Sequence, residues 1–268
     1  MASYLWKPIL ILIFYSVTRR MFINNKWTVP NVRQKNVPYN FGMVFLLWVT
    51  LEIVQPGLTS INMPDYCFLF ATWMIGWVDD RFGKAYPKGI KGHVQYCFMN
   101  RTVTTGLIKA GGGAVIAGLY LSMLYRGESI TQLEALFYLP LVTLLPHVVN
   151  LLDTRPLRVM KAATLMIMAV IVVSAGFPQI SGLGILLLLW AREEAGEKTM
   201  LGDNGAMLVG AYLTIAIMHT GSDGFVFIST MVCGCLTLIA EKYSISKLIM
   251  NTRMLSVIDL FGQKRSTS

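Results

Sequence analysis

Nine apolar runs divide the chain, at 8–17, 41–57, 63–78, 102–125, 130–152, 159–177, 180–191, 206–218 and 224–240. Runs of this kind predict membrane helices. Several are shorter than the roughly 20 residues of a full crossing, so the expectation is a bundle of about nine spans, within a range of about eight to ten. After the last run the pattern changes. Ile245, Leu248, Ile249, Leu255, Ile258 and Leu260 stand among Lys242, Lys247 and Arg253, which predicts an amphipathic helix over about 244–262 that lies along a membrane surface. The fold class read from the pattern is an all-α polytopic membrane protein, with residues 1–268 forming a single integral membrane domain.

Composition agrees with the pattern. The 268 residues are 54% hydrophobic and only 14% charged, against roughly 25% charged in an average soluble domain. The first run, with Lys7 and Pro8 near its start, has no small-residue cleavage site before Arg19-Arg20 and is expected to be a retained span. Cys67, Cys233 and Cys235 fall inside apolar runs, and the Cys-Gly-Cys spacing is a poor fit to structural zinc, so neither a disulfide framework nor a thiolate metal site is expected.

An excess of 23 basic over 14 acidic residues raises nucleic acid as a partner, but the placement of the cations removes that need. Taking alternate connections, one set holds Arg19 to Lys35, Arg81 to Arg101, Arg155 to Lys161, Arg192 and Lys198, and the tail; it carries twenty of the 23. The other set holds Arg126, with Lys7 at an edge and Lys109 within a span. By the positive-inside rule the rich set is cytoplasmic and the N-terminus is outside. The expected location is the plasma membrane, with no nucleic-acid partner.

Candidate chemistry gathers on that same face. Gly76-Trp77-Val78-Asp79-Asp80 puts adjacent carboxylates at the end of an apolar run, where a charge is costly unless it meets water, a partner or an ion. Lys84, Lys88 and Lys91 follow among glycines and Pro87, which reads as a basic loop. Asn150 and Asp153 are three apart at the end of a span and share a helix face. Gly202-Asp203-Asn204-Gly205 opens another span, where the helix N-terminus favours phosphate. Taken singly, each motif is as well explained by a solvated end, a cap or a turn. Three of them on one face suit a divalent metal and a phosphorylated ligand. His147 and His219 are expected to be packed in or at the ends of helices.

The series Gly-x-x-Asp-Asp, Asn-x-x-Asp and Gly-Asp-x-Gly resembles the polyprenyl-phosphate N-acetylhexosamine-1-phosphate transferase superfamily, glycosyltransferase family 4, which includes phospho-N-acetylmuramoyl-pentapeptide transferase. Pro30, Arg33, Pro38 and Gly42 stand where that family has its basic Pro-Gly-Gly segment. Lys91-Gly92-His93, Thr104-Thr105-Gly106 with Lys109, Asn150 to Lys161 and the ending Leu255 to Gly262 are similar to a short Gram-positive branch. The resemblance implies transfer of a sugar 1-phosphate from a UDP-sugar to undecaprenyl phosphate with release of UMP, in cell-envelope glycan synthesis. It implies Mg²⁺, with Mn²⁺ as a substitute, and it admits a homodimer.

By the same resemblance Asp79, Asp80 and Asp203 are catalytic, and Asp203 and Asp153 hold the metal. Lys84, Lys88, Lys91, Asn150, Asp153, Arg155 and Arg158 bind substrate. The better-known members carry Asn-x-x-Asp-Gly-x-Asp-Gly and a late histidine cluster, whereas here Thr154-Arg155-Pro156 follows Asp153 and no histidine lies beyond Glu241. Two rival readings stand beside the enzyme. One is an inactive homologue that binds polyprenyl phosphate as a scaffold or regulator. The other is a transporter, which predicts mid-membrane charge and an internal repeat; no repeat is seen.

Overall fold

The computed structural model describes residues 6–54, 61–83, 89–174 and 183–263. A first helix, α1 (Trp6–Asn24), leads into a short antiparallel hairpin, β1 (Thr28–Pro30) and β2 (Asn36–Pro38), with Val29 opposite Val37. Helices α2 (Phe41–Val54), α3 (Met63–Phe82), α4 (Gly89–Asn100), α5 (Thr105–Arg126) and α6 (Gln132–Leu152) follow. The second half holds α7 (Arg158–Val173), α8 (Leu183–Ala195), α9 (Gly202–Met218) and α10 (Asp223–Lys242), then two short helices, α11 (Ile245–Asn251) and α12 (Arg253–Leu260). Among the described residues the hairpin is the only strand structure, and the regular elements are otherwise helical.

The bundle is built around α9, which is buried along almost its whole length and packs against α2, α3, α6 and α7. Between helices in lipid the gain comes from close van der Waals contact rather than from excluding water, and small residues make that contact possible. Gly205, Ala206, Gly210 and Ala211 supply it from α9. Two facing glycines are as demanding: a Cβ on Gly42 of α2 would overlap the Asn204 side chain, and one on Gly76 of α3 would lie 2.5 Å from the Asp203 carbonyl oxygen. These approaches bring the Asp79-Asp80 end of α3 against the start of α9.

The outer surfaces are apolar. Leu119, Leu165, Val172, Leu188, Ile228 and Leu238 are all exposed, as expected for side chains that face hydrocarbon. Among the described residues, three helices are both long and apolar enough to cross a membrane: Thr105–Arg126, Gln132–Leu152 and Asp223–Lys242. That is fewer than the nine runs suggested. Helix α2 is apolar but has 14 residues, and α3 reaches 20 only by including Asp65, Asp79, Asp80 and Arg81.

Two local expectations need correction. The basic stretch after Asp80 is not loop throughout, because α4 begins at Gly89 and runs to Asn100; its Gly89 has φ +71°, a conformation that glycine adopts without a Cβ clash. The amphipathic tail is two helices rather than one. It turns at Thr252 (φ −95°, ψ 111°), which ends α11 and opens α12.

The hairpin closes over the end of α3 through aromatic contacts. Phe22 packs edge-on against Trp27 and Tyr39, Trp27 meets Trp77, and the Arg81 guanidinium lies 4.4 Å from the centre of the Trp27 ring. Such a cation over an indole face is held in place at about 0.5–2 kcal/mol.

Candidate functional site

Helix α9 starts without a cap of its own, since Leu201 offers no side-chain acceptor. The first N–H groups of a helix need partners, and here α3 provides them. Asp80 accepts from the Asp203 N–H at 3.0 Å and the Asn204 N–H at 2.9 Å, and the Asn204 side-chain amide also donates to it. A carboxylate from another helix thus caps α9 and complements its dipole. The cap also occupies two N–H groups that the sequence alone offered to a phosphate. Gly202, at φ +74°, is the turn that makes the approach possible.

Capping fixes Asp203 one residue into α9, facing Asp79 and Lys109. The Lys109 ammonium, one turn into α5, donates to Asp79 Oδ2 at 2.9 Å and to Asp203 Oδ2. Asn150, near the end of α6, completes the contact: with its amide turned to satisfy both neighbours, it donates to Asp203 Oδ1 at 2.9 Å and accepts from Lys109 at 2.8 Å. Four helices, α3, α5, α6 and α9, therefore each contribute one polar side chain to a single cluster. Lys109 is deep, with 9% of its side chain exposed, while Asp203 keeps 34%. Asp203 is more open to a ligand than Asp79 or Lys109.

Asp153 follows α6 directly and faces the backbone N–H of Gly202. Burial pushes its carboxyl well above the ordinary range, and the charges of Glu194, Asp203 and Asp80 push it further, against the opposing effect of that N–H. With Asp79, Asp80 and Asp203 in the same region and Lys109 as their ammonium partner, negative charge is in excess. Hard oxygen donors with excess negative charge fit a divalent cation such as Mg²⁺. Among the described residues no three His, Cys, Asp or Glu side chains are arranged to hold a metal by themselves. Mg²⁺ does not require that, since it commonly takes one or two carboxylates and completes its shell with water and phosphate.

One cavity opens from the cluster at Lys109, and another lies beside Asp153. The first, about 110 Å³, runs from Lys109 between Phe68, Thr72, Ile75, Val142 and His147 and is largely apolar. The other, about 320 Å³, lies between the hairpin, the segment after α6 and the segment before α9; Asn31, Asp153, Arg155, Glu194 and Thr199 line it.

The structure thus brings Asp79, Asp80, Asn150, Asp153 and Asp203 together, and sets Arg155 on the wall of the larger cavity. Arg158 lies elsewhere: it is buried, with its guanidinium bound to Asp259 at 2.7 and 2.8 Å. Lys84 and Lys88 lie outside the described residues, and Lys91 belongs to the backbone of α4. His147 lines the smaller cavity, and His219 caps the C-terminus of α9, 3.9 Å from Asp65. Lys109 is the member that motif reading did not place in the site. Its signal was present, because a lysine inside an apolar run is costly and needs a partner.

No family model, curated protein or solved structure matches the chain.

Proposed function

We propose that this chain is a membrane transferase that moves a sugar 1-phosphate, of the N-acetylhexosamine type, from a UDP-sugar to a polyprenyl phosphate such as undecaprenyl phosphate, in cell-envelope glycan synthesis. The observation that carries the reading is the four-helix cluster of Asp79, Lys109, Asn150 and Asp203, with one cavity opening from Lys109 and a larger one lined by Asp153 and Arg155 just beyond Asn150. Such an arrangement suits a reaction between a lipid-borne phosphate and a water-soluble nucleotide. The order of the three acidic motifs along the chain supports it further.

The reaction is a phosphoryl transfer. An oxygen of the acceptor phosphate forms a bond to the β-phosphorus of the UDP-sugar while the bond from that phosphorus to the bridging oxygen breaks. The bridging oxygen leaves with the α-phosphate as UMP. Both partners are anions, so catalysis rests on positioning and on charge compensation. The apolar cavity would seat the first isoprene units beside Lys109, bringing the acceptor phosphate to Asp79. The larger cavity would take the nucleotide, with Arg155 at its wall and Lys84, Lys88 and Lys91 as further cations. Asp203 and Asp153 would hold Mg²⁺ or Mn²⁺, which when bound supplies Lewis-acid neutralisation of the diphosphate charge. Asp80, engaged with the start of α9, acts as a positioning residue for Asp203.

In the proposed topology the shorter apolar helices complete about nine spans, packed between the three long ones. The N-terminus lies outside, and the site faces the cytoplasm of a plasma-membrane protein that either stands alone or forms a homodimer. The test is to incubate purified protein with undecaprenyl phosphate, Mg²⁺ and a panel of UDP-sugars, and to assay UMP. Mg²⁺-dependent UMP release with at least one donor is expected. Absence of UMP with every donor, alongside retained binding of polyprenyl phosphate, would favour the scaffold reading.

A further inference from the structure

Residues 153–156, after α6, form one wall of the larger cavity, and Leu157, which ends this segment, is under local strain. Leu157 has φ +65° and ψ −1°, a left-handed conformation that a branched side chain adopts at a cost of about 1–3 kcal/mol unless its surroundings hold it there. Several contacts hold the segment. From α8, Glu194 accepts the Leu157 N–H at 3.1 Å, and Asp153 faces the Gly202 N–H. Others come from the C-terminal segment, from α11 to Gln263.

Those contacts form a latch behind the wall. Asp259 of α12 takes the Arg158 guanidinium in two parallel hydrogen bonds, at 2.7 and 2.8 Å, and both side chains are buried. Ser246 of α11 accepts from Arg158 at 2.8 Å and pairs with the Thr154 hydroxyl at 2.7 Å. Gln263 donates to the Pro156 carbonyl at 3.0 Å, and Lys161 donates to the carbonyls of Ile258 and Asp259. Arg155 stands 4.0 Å from Asp259, on the cavity side of the same group. Two-point pairing of this kind fixes orientation as well as distance. Burial alone would raise the Asp259 carboxyl, but Arg158, Arg155 and Lys161 outweigh it and hold the group below the ordinary range, so the carboxylate stays charged at neutral pH.

A wall that ends on a strained residue and carries such a brace points to preorganisation of whatever the wall touches. We infer that α11 and α12 are a positioning element for the nucleotide cavity, and that Asp259, acting through Arg158, holds the 153–157 segment in the shape that receives the donor. The inference rests on the proposed transferase reading for the identity of the ligand. The bracing of the segment is independent of that reading. Asp259 is a positioning residue: it touches the wall and not the reacting atoms.

The experiment has two readouts on the same preparations, wild type, Asp259→Asn and the exchanged pair Arg158→Asp with Asp259→Arg. Hydrogen exchange of the full-length protein is expected to show faster exchange at 153–158 in Asp259→Asn, with the central helix α9 unchanged and protection regained in the exchanged pair. Steady-state kinetics are expected to show a donor KM raised about tenfold in Asp259→Asn, a loss of binding rather than of chemistry, with kcat and the acceptor KM changed by less than about twofold. Unchanged exchange at 153–158 would overturn the latch. So would a fall in kcat at constant donor KM, or a donor KM that stays at the wild-type value while the segment loosens. If wild type itself releases no UMP, the transferase reading fails, and the exchange data alone then decide the latch.

Discussion

Replacing Lys109 with Met is expected to abolish measurable transfer and to lower stability together. The ammonium is the shared partner of Asp79, Asp203 and Asn150. Without it two carboxylates face each other in a largely buried site, and removing one member of a buried ion pair costs about 3–5 kcal/mol because the remaining charge is uncompensated. Turnover should fall by at least about 10²-fold, since charge compensation is the main resource of an enzyme that joins two anions. Lys109→Arg should recover little. The planar guanidinium fork does not reproduce a compact cation donating to three groups on three helices. Thermal unfolding in detergent and UMP release measure the two effects. A Lys109→Met protein with wild-type stability and turnover would remove the cluster from both fold and function.

Asp79→Asn and Asp203→Asn separate chemistry from binding. Both substitutions keep shape and volume. Asp79 is set where the acceptor phosphate would reach the cluster, so Asp79→Asn should retain UDP-sugar binding and lose about 10²-fold or more in turnover. Asp203 is the more exposed carboxylate, with 34% of its side chain open against 16% for Asp79, and is the better placed to share a metal with a diphosphate. Asp203→Asn should therefore weaken nucleotide binding in the presence of Mg²⁺ and leave the weak metal-free binding unchanged. Calorimetric titration with and without chelator reads this directly. Binding that depends on Mg²⁺ as strongly in Asp203→Asn as in wild type would exclude Asp203 as a ligand.

The acidic motifs were legible in the sequence because each lies at the edge of an apolar run, where a charge is costly unless it meets water, a partner or an ion. Their convergence was legible only as a shared face. Lys109 shows the limit: its cost inside an apolar run was plain, but its partners are 30 and 94 residues away and only packing brings them close. The capping of α9 by Asp80 was hidden for the same reason, since local reading could take the 202–205 motif only as a cap or turn of its own. Arg158 was legible as a cation following the Asn150–Asp153 motif, and its true partner, Asp259, lies 101 residues further on.

Helix α4 was missed because its glycines and the preceding Pro87 are the usual signs of a loop. The break of the tail at Thr252 carries neither glycine nor proline, so nothing local announced it. The all-helical class followed from run length. The count of spans did not, because runs of 10 to 17 residues match buried helices and short crossings equally well.

The central claim is that the cluster of Asp79, Lys109, Asn150 and Asp203 directs cleavage between the two phosphates of a nucleotide sugar. Transfer from a UDP-sugar carrying ³²P only in its β-phosphate tests it most directly, with purified protein, undecaprenyl phosphate and Mg²⁺. The label is expected to move into the lipid fraction as a polyprenyl diphosphate sugar, with unlabelled UMP released, and Lys109→Met is expected to stop both. Label remaining in UDP while sugar alone reaches the lipid, or no label in the lipid for any donor, would contradict that claim.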